Sequence, residues 1–148
     1  MIRKIAIAAL FVLTAPAFAV PVEVACHWDE PVKYQGATST VLEGIYGKAA
    51  EPAYFSIDAA TEVASHSDPN NIQAVMFPKL TLFSSRDSVK IIASSLNVQD
   101  LPDARAVLEI VIDRYTLESS MILAMPSSAT DIMAAQWSRP GRCNARKL

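Results

Sequence analysis

The sequence has few of the residues on which common catalytic motifs depend. Its 148 residues include only four glycines, two histidines and two cysteines. Gly36, Gly44, Gly47 and Gly141 have none of the spacings of a phosphate-binding loop. No Gly-x-Ser-x-Gly, His-Glu-x-x-His or Cys-x-x-Cys motif occurs either. The sequence therefore predicts no catalytic residues, no cofactor and no metal site.

The sequence also lacks an excess of positive charge and a long apolar segment beyond its N-terminus. It has 13 basic and 15 acidic side chains, a formal net charge of −2. Because nucleic-acid binding depends on concentrated positive charge, no nucleic-acid partner is predicted. The most apolar later stretch, 106–112, is interrupted by Glu109. It is shorter than the ~20 residues of a membrane-spanning helix, so no integral membrane segment is predicted after signal removal.

Residues 1–19 have the pattern of a secretory signal peptide. Two positive charges precede an uninterrupted apolar run over Ile5–Leu13, and a small-x-small cleavage sequence ends at Ala19. The apolar run stops too early for a membrane anchor. The sequence therefore predicts one exported domain, 20–148, in the periplasm or outside the cell.

The two cysteines lie near the two ends of this predicted domain. In an exported protein an even count of two leaves one intramolecular pairing, Cys26 with Cys143. Buried free thiols and a zinc site are the alternatives, and two histidines make the zinc site a poor fit. The bridge would bring Trp28 and Trp137 near each other, in a small core rather than on an exposed ligand platform.

A short repeat predicts two hairpin turns. Both Ile57–Thr61 and Ile112–Thr116 read Ile-Asp-x-x-Thr, and each is followed by a serine four residues beyond the threonine. An aspartate at the first turn position accepts bonds from backbone amides two and three residues on. Both segments are therefore predicted to be hairpin turns between two strands, with Asp58 and Asp113 at the start of each turn.

Turn signals recur every 8–12 residues along the rest of the chain, which is typical of an antiparallel sandwich or barrel. The fold class predicted is a small all-β domain closed end to end by the disulfide. The alternative is an α+β fold with a helix around 103–115, because apolar residues there also fit a helical face. Further strands are predicted at 20–28, 38–46, 72–77, 80–83, 89–93, 116–125 and 130–137.

Three groups of residues are weighed as functional candidates. His66 lies beside Asp68 in a serine-rich segment, predicted as a solvated loop rather than a catalytic base. His27, Asp29 and Glu30 offer at most a weak metal site, because an exposed polar strand edge explains them as well. The C-terminal run 139–147 carries four positive charges and no acid, and is interpreted as a solvated tail.

The function predicted is an exported, non-catalytic binding or inhibitor-type module, not an enzyme. Loops 29–37 and 65–71 would present side chains to an unknown protein or envelope ligand. The alternative is a small exported hydrolase that uses scattered carboxylates or His66. The sequence leaves the oligomeric state open.

Overall fold

The computed structural model describes residues 21–29, 33–36, 47, 50–94, 106–125 and 135–146, with only the backbone described at 33–36, 125 and 135. These residues form nine antiparallel strands and one short helix. The elements are β1 (Val22–Trp28), β2 (Lys33–Gly36), β3 (Ala53–Asp58), β4 (Val63–His66), α1 (Ile72–Met76), β5 (Leu80–Ser84), β6 (Ser88–Ser94), β7 (Val107–Asp113), β8 (Glu118–Met125) and β9 (Ala135–Ala145).

The strands form one curved sheet in the order β4-β3-β1-β9-β8-β7-β6-β5, and β2 also pairs with β9. The first and last strands of this order, β4 and β5, approach each other, so the sheet is a nearly closed barrel. The side chain of Glu62 spans the seam, since its Oε1 accepts a bond from the Ser84 amide at 3.1 Å. The all-β prediction is thus confirmed, in its barrel form.

Alternation of side chains explains why these segments form strands around a single core. Along β7, Leu108, Ile110 and Ile112 are buried while the residues between them are partly exposed. This period of two fits a sheet with one face on the core. The segment pairs with β6 on one side and β8 on the other, so the alternative helix around 103–115 is not formed over 107–113. Residues 103–105 lie outside the described residues.

Both predicted hairpin turns are confirmed. Asp58 Oδ1 accepts bonds from the amides two and three residues on, at 3.0 and 3.2 Å, and Asp113 Oδ1 does the same at 2.8 Å in both cases. The pKa of each carboxyl is lowered by its bonds to the turn threonine, Thr61 or Thr116. The two turns therefore share one geometry as well as one sequence pattern.

The Cys26–Cys143 disulfide is present, and it joins the first strand to the last. The two cysteines are directly opposite each other in the β1–β9 register, and both side chains are fully buried. Trp28 and Trp137 belong to the same buried cluster, as predicted, and neither forms an exposed platform. The N-terminal signal and the strand predicted at 38–46 lie outside the described residues.

Three local predictions are wrong. The segment 72–77, predicted as a strand, forms the helix α1 over Ile72–Met76, because the Asn71 side chain caps it by accepting a bond from the Gln73 amide at 3.0 Å. Residues 33–36, predicted as loop, form β2. The C-terminal run is not a tail, since β9 continues to Ala145 and fills the space between β8 and β1.

The proline in β9 is accommodated by a break in the neighbouring strand. Along β9, the pairing with β1 ends at Gly141 and the pairing with β2 begins at Ser138. No residue of β1 or β2 is therefore paired with Pro140 in the ladder. Pro140 lacks an N–H and cannot donate there. Its carbonyl accepts a bond from the Asp29 amide at 2.9 Å instead, which holds the end of β1 against β9.

Candidate functional site

A row of three charged or polar side chains crosses the outer face of β1, β9 and β8. Arg142 of β9 is paired with His27 of β1 on one side and with Glu118 of β8 on the other. All three residues are exposed. Because side chains alternate along a strand, the neighbouring Cys26 and Cys143 point inward, and their disulfide lies directly beneath the row.

This row forms part of a depression of about 450 Å³ on the barrel surface. We call it the polar cleft and define it by five exposed side chains. Ser119, Pro140 and Gly141 complete its lining. The five side chains that define the cleft are His27, Asp29, Glu118, Arg142 and Asn144.

The charges in the cleft are only partly balanced. Arg142 Nη2 lies 3.8 Å from Glu118 Oε1, and the two side chains are 64% and 70% exposed. An ion pair this long and this exposed contributes little to stability. The Asp29 carboxylate has no ion-pair or hydrogen-bond partner among the described residues. Asp29, Glu118 and Arg142 together therefore carry one more negative than positive charge.

Gly141 allows β1 and β9 to approach closely under the cleft. A Cβ at this position would overlap the His27 carbonyl oxygen and would lie 2.6 Å from Trp28 Cδ1. Only glycine leaves room for the indole of Trp28 here. The indole Nε1 of Trp28 and the hydroxyl of Ser119 are both buried without a hydrogen-bond partner among the described residues.

A second charged contact lies further along β9. The guanidinium of Arg146 is 4.9 Å from the centroid of the Tyr54 ring, within the range of a cation–π interaction. The Arg146 amide also donates to the Glu23 carbonyl at 2.8 Å. These contacts hold the end of β9 beside β1, with the Arg146 side chain over the Tyr54 ring of β3.

The residues weighed as a metal site are only partly brought together. His27 and Asp29 both lie in the polar cleft, while Glu30 is outside the described residues. Within the described ranges, no group of three or more His, Cys, Asp or Glu side chains is arranged to hold a metal ion.

His66 is neither in a solvated loop nor arranged as a catalytic base. It ends β4, half-buried, with its ring centroid 5.5 Å from that of Phe55. Its Nε2 donates to the Phe77 carbonyl at 2.8 Å, and its Nδ1 is buried without a partner among the described residues. Burial lowers the pKa of His66, and the bond to Phe77 opposes this more weakly.

Asp68, the predicted orienting acid for His66, serves the next turn instead. Its Oδ1 accepts a bond from the Asn70 amide at 3.0 Å. The arrangement of a base held by an acid is therefore absent from this part of the described chain. Of the two segments expected to present a ligand-binding loop, 65–71 begins with the last two residues of β4, and 29–37 includes β2.

Sequence reasoning missed most of the polar cleft. Glu118, Arg142 and Asn144 were not grouped with His27 and Asp29, because more than 80 positions separate them along the chain. The predicted Cys26–Cys143 bridge is the signal that could have found them. In an antiparallel pair, bridged residues set the register, so His27 must face Arg142.

The disulfide indicates an oxidising environment of the kind met by exported proteins. No helix among the described residues has the length and apolar character needed to cross a membrane. Comparison of the chain with known protein families, with curated protein sequences and with solved structures found no match. The function is therefore inferred from the geometry of the polar cleft.

Proposed function

We propose that this protein is an exported, non-catalytic binding module that docks a protein partner on its polar cleft. The observation that carries the proposal is the position of the cleft on three paired strands, directly above the Cys26–Cys143 disulfide. A partner meets side chains whose backbones are already fixed, so little ordering entropy is lost on binding. The module would act in the periplasm or outside the cell, after removal of residues 1–19.

The composition of the cleft and its surroundings supports a protein as the partner. Arginine and tyrosine are enriched in protein interfaces and among the residues that dominate their affinity. Arg142 lies in the cleft, and Arg146 lies against Tyr54 on the same face of the barrel. The five charged or polar side chains of the cleft contrast with the predominantly hydrophobic lining of pockets that enclose small molecules.

The hydrogen bond and the burial of the His66 ring support a binding role over the alternative, a hydrolase. A general base must reach the proton that it abstracts. His66 instead uses Nε2 to hold the Phe77 carbonyl, and its other ring nitrogen is buried.

A pair of matched tryptophan variants tests the proposal. Asn144→Trp places an indole in the cleft, and Thr81→Trp places one on an exposed position of β5, away from the cleft. Immobilised mature wild-type protein and both variants are incubated with the periplasmic and secreted protein fractions of the source cells. We expect one protein to be retained stoichiometrically by wild type and T81W and lost with N144W.

The mass of the retained protein separates binding from catalysis. A non-catalytic module leaves the partner intact after prolonged incubation, so its mass is unchanged. Cleavage of the partner, or equal retention by N144W and T81W, would overturn the proposal.

A further inference from the structure

We propose that the polar cleft takes up a basic side chain of the partner, preferentially arginine, between the carboxylates of Asp29 and Glu118. This inference rests on the proposed function, because it assumes that the partner docks on the cleft. It adds the chemical identity of the partner side chain that enters the polar cleft.

The balance of charge inside the cleft favours a cation. Asp29 forms no ion pair among the described residues. Glu118 pairs with Arg142, whose Nη2 lies 3.8 Å from Glu118 Oε1. A partner cation therefore supplies the charge that the cleft lacks. An incoming anion would meet an arginine that already has a carboxylate beside it and would be repelled by Asp29.

The sheet register holds the two carboxylates on opposite sides of β9. Glu118 is paired with Arg142, and Asp29 is tied through its amide to the carbonyl of Pro140, two residues earlier on β9. Pro140 is itself one of the residues that line the cleft. The methylene stem of a long basic side chain can lie on the proline ring while its charged head reaches the carboxylates.

The remaining groups favour arginine over lysine. A guanidinium has five N–H donors in a planar fork that matches carboxylate oxygens, whereas an ammonium is a compact point charge. Asn144 also lines the cleft, and an asparagine side chain has an amide oxygen that accepts hydrogen bonds. The volume of about 450 Å³ lies within the range of ~300–1,000 Å³ found for ligand pockets. It accommodates the side chain and part of its backbone.

The test uses small probes on the mature, oxidised protein. N-acetyl-arginine amide, its neutral isostere N-acetyl-citrulline amide, and N-acetyl-aspartate amide are titrated separately while backbone amide resonances are followed by NMR. We expect saturable shifts with the arginine probe, confined to amides around 27–29, 118–119 and 141–144. The citrulline and aspartate probes should give none there.

Neutral variants assign the effect to the two carboxylates. Asp29→Asn and Glu118→Gln should each weaken binding of the arginine probe by about two- to fivefold, which is the scale of one exposed ion pair. The matched control is Glu109→Gln, because Glu109 forms a partly exposed ion pair with Lys90 outside the cleft. It should leave binding unchanged.

Three results would overturn the inference: equal shifts with citrulline, cleft shifts with aspartate instead, or unchanged binding in both carboxylate variants. These results are separable from failure of the proposed function. Absence of arginine binding, with partner capture still blocked by N144W, overturns the choice of group alone. Arginine binding without any cleft-dependent capture overturns the docking of a protein partner and leaves only the affinity of the cleft for a guanidinium group.

Discussion

Replacing Gly141 by alanine tests the close approach of β1 and β9 on which the polar cleft depends. The added Cβ would overlap the His27 carbonyl oxygen and lie 2.6 Å from Trp28 Cδ1 and 3.0 Å from Trp28 Cα. Two of these three atoms belong to the β1 backbone. The disulfide at Cys26 holds that backbone against β9, so it has little room to move aside.

The expected loss of stability follows from two opposing effects. Overpacking a well-packed site costs roughly 1–3 kcal/mol, and a backbone obstacle places this variant near the upper end. Alanine also restricts the unfolded chain, which offsets about 0.4–1 kcal/mol. The net prediction is a destabilisation of about 2–2.5 kcal/mol, which lowers the Tm by on the order of 10 °C for a domain of this size.

Urea unfolding of the oxidised protein, followed by tryptophan fluorescence, measures this loss. The matched control is Gly47→Ala, because a Cβ at position 47 meets no heavy atom within 4 Å. That variant should have wild-type stability or gain a few tenths of a kcal/mol. A G141A variant within about 0.5 kcal/mol of wild type would refute the close packing of β9 on β1.

Three further predictions concern the disulfide, the buried histidine and the repeated turns. Serine at Cys26 or Cys143 should destabilise the fold by roughly 2–5 kcal/mol, and equal Tm values with and without reductant would contradict a stabilising bridge. Because the pKa of His66 is lowered in the folded state, its contribution to stability is complete above pH ~6.5 and falls as the pH drops below that value. The difference in unfolding free energy between wild type and His66→Gln should therefore shrink from pH 7.5 to pH 5, and a constant difference would show that burial of the ring has no such effect. By carboxyl NMR, Asp58 and Asp113 should titrate below the ordinary value of 3.8, whereas ordinary values would argue against their turn hydrogen bonds.

Two kinds of feature could be predicted from the sequence: turns that depend only on neighbouring residues, and a disulfide for which only one pairing is possible. An aspartate bonded to amides two and three residues on needs no distant contact, so Asp58 and Asp113 could be placed from the repeat alone. The disulfide followed from an even count of two cysteines. Residues 107–113 form a strand rather than the alternative helix. Their alternating pattern fits a sheet, and both neighbouring strands pair with them.

The failures involve segments whose structure is decided by distant parts of the chain. The apolar character of 72–77 favours a strand, but contacts with a distant segment favour one turn of helix. The capping residue Asn71 donates to the Pro52 carbonyl, and the buried Gln73 donates to the Glu51 carbonyl. Arg142 reads as part of a charged tail until its neighbour Cys143 is placed opposite Cys26. The polar cleft could not be predicted as a unit, since only the sheet register brings its residues together.

Protection of backbone amides on partner binding tests the central claim most directly. Hydrogen–deuterium exchange of the mature, oxidised protein is measured alone and with the protein retained in the capture experiment. The cleft model predicts slower exchange in segments 27–29, 118–119 and 141–144, with 80–84 of β5 unchanged. Protection confined to β5 or to other segments away from the cleft would contradict the proposal that the cleft is the binding surface.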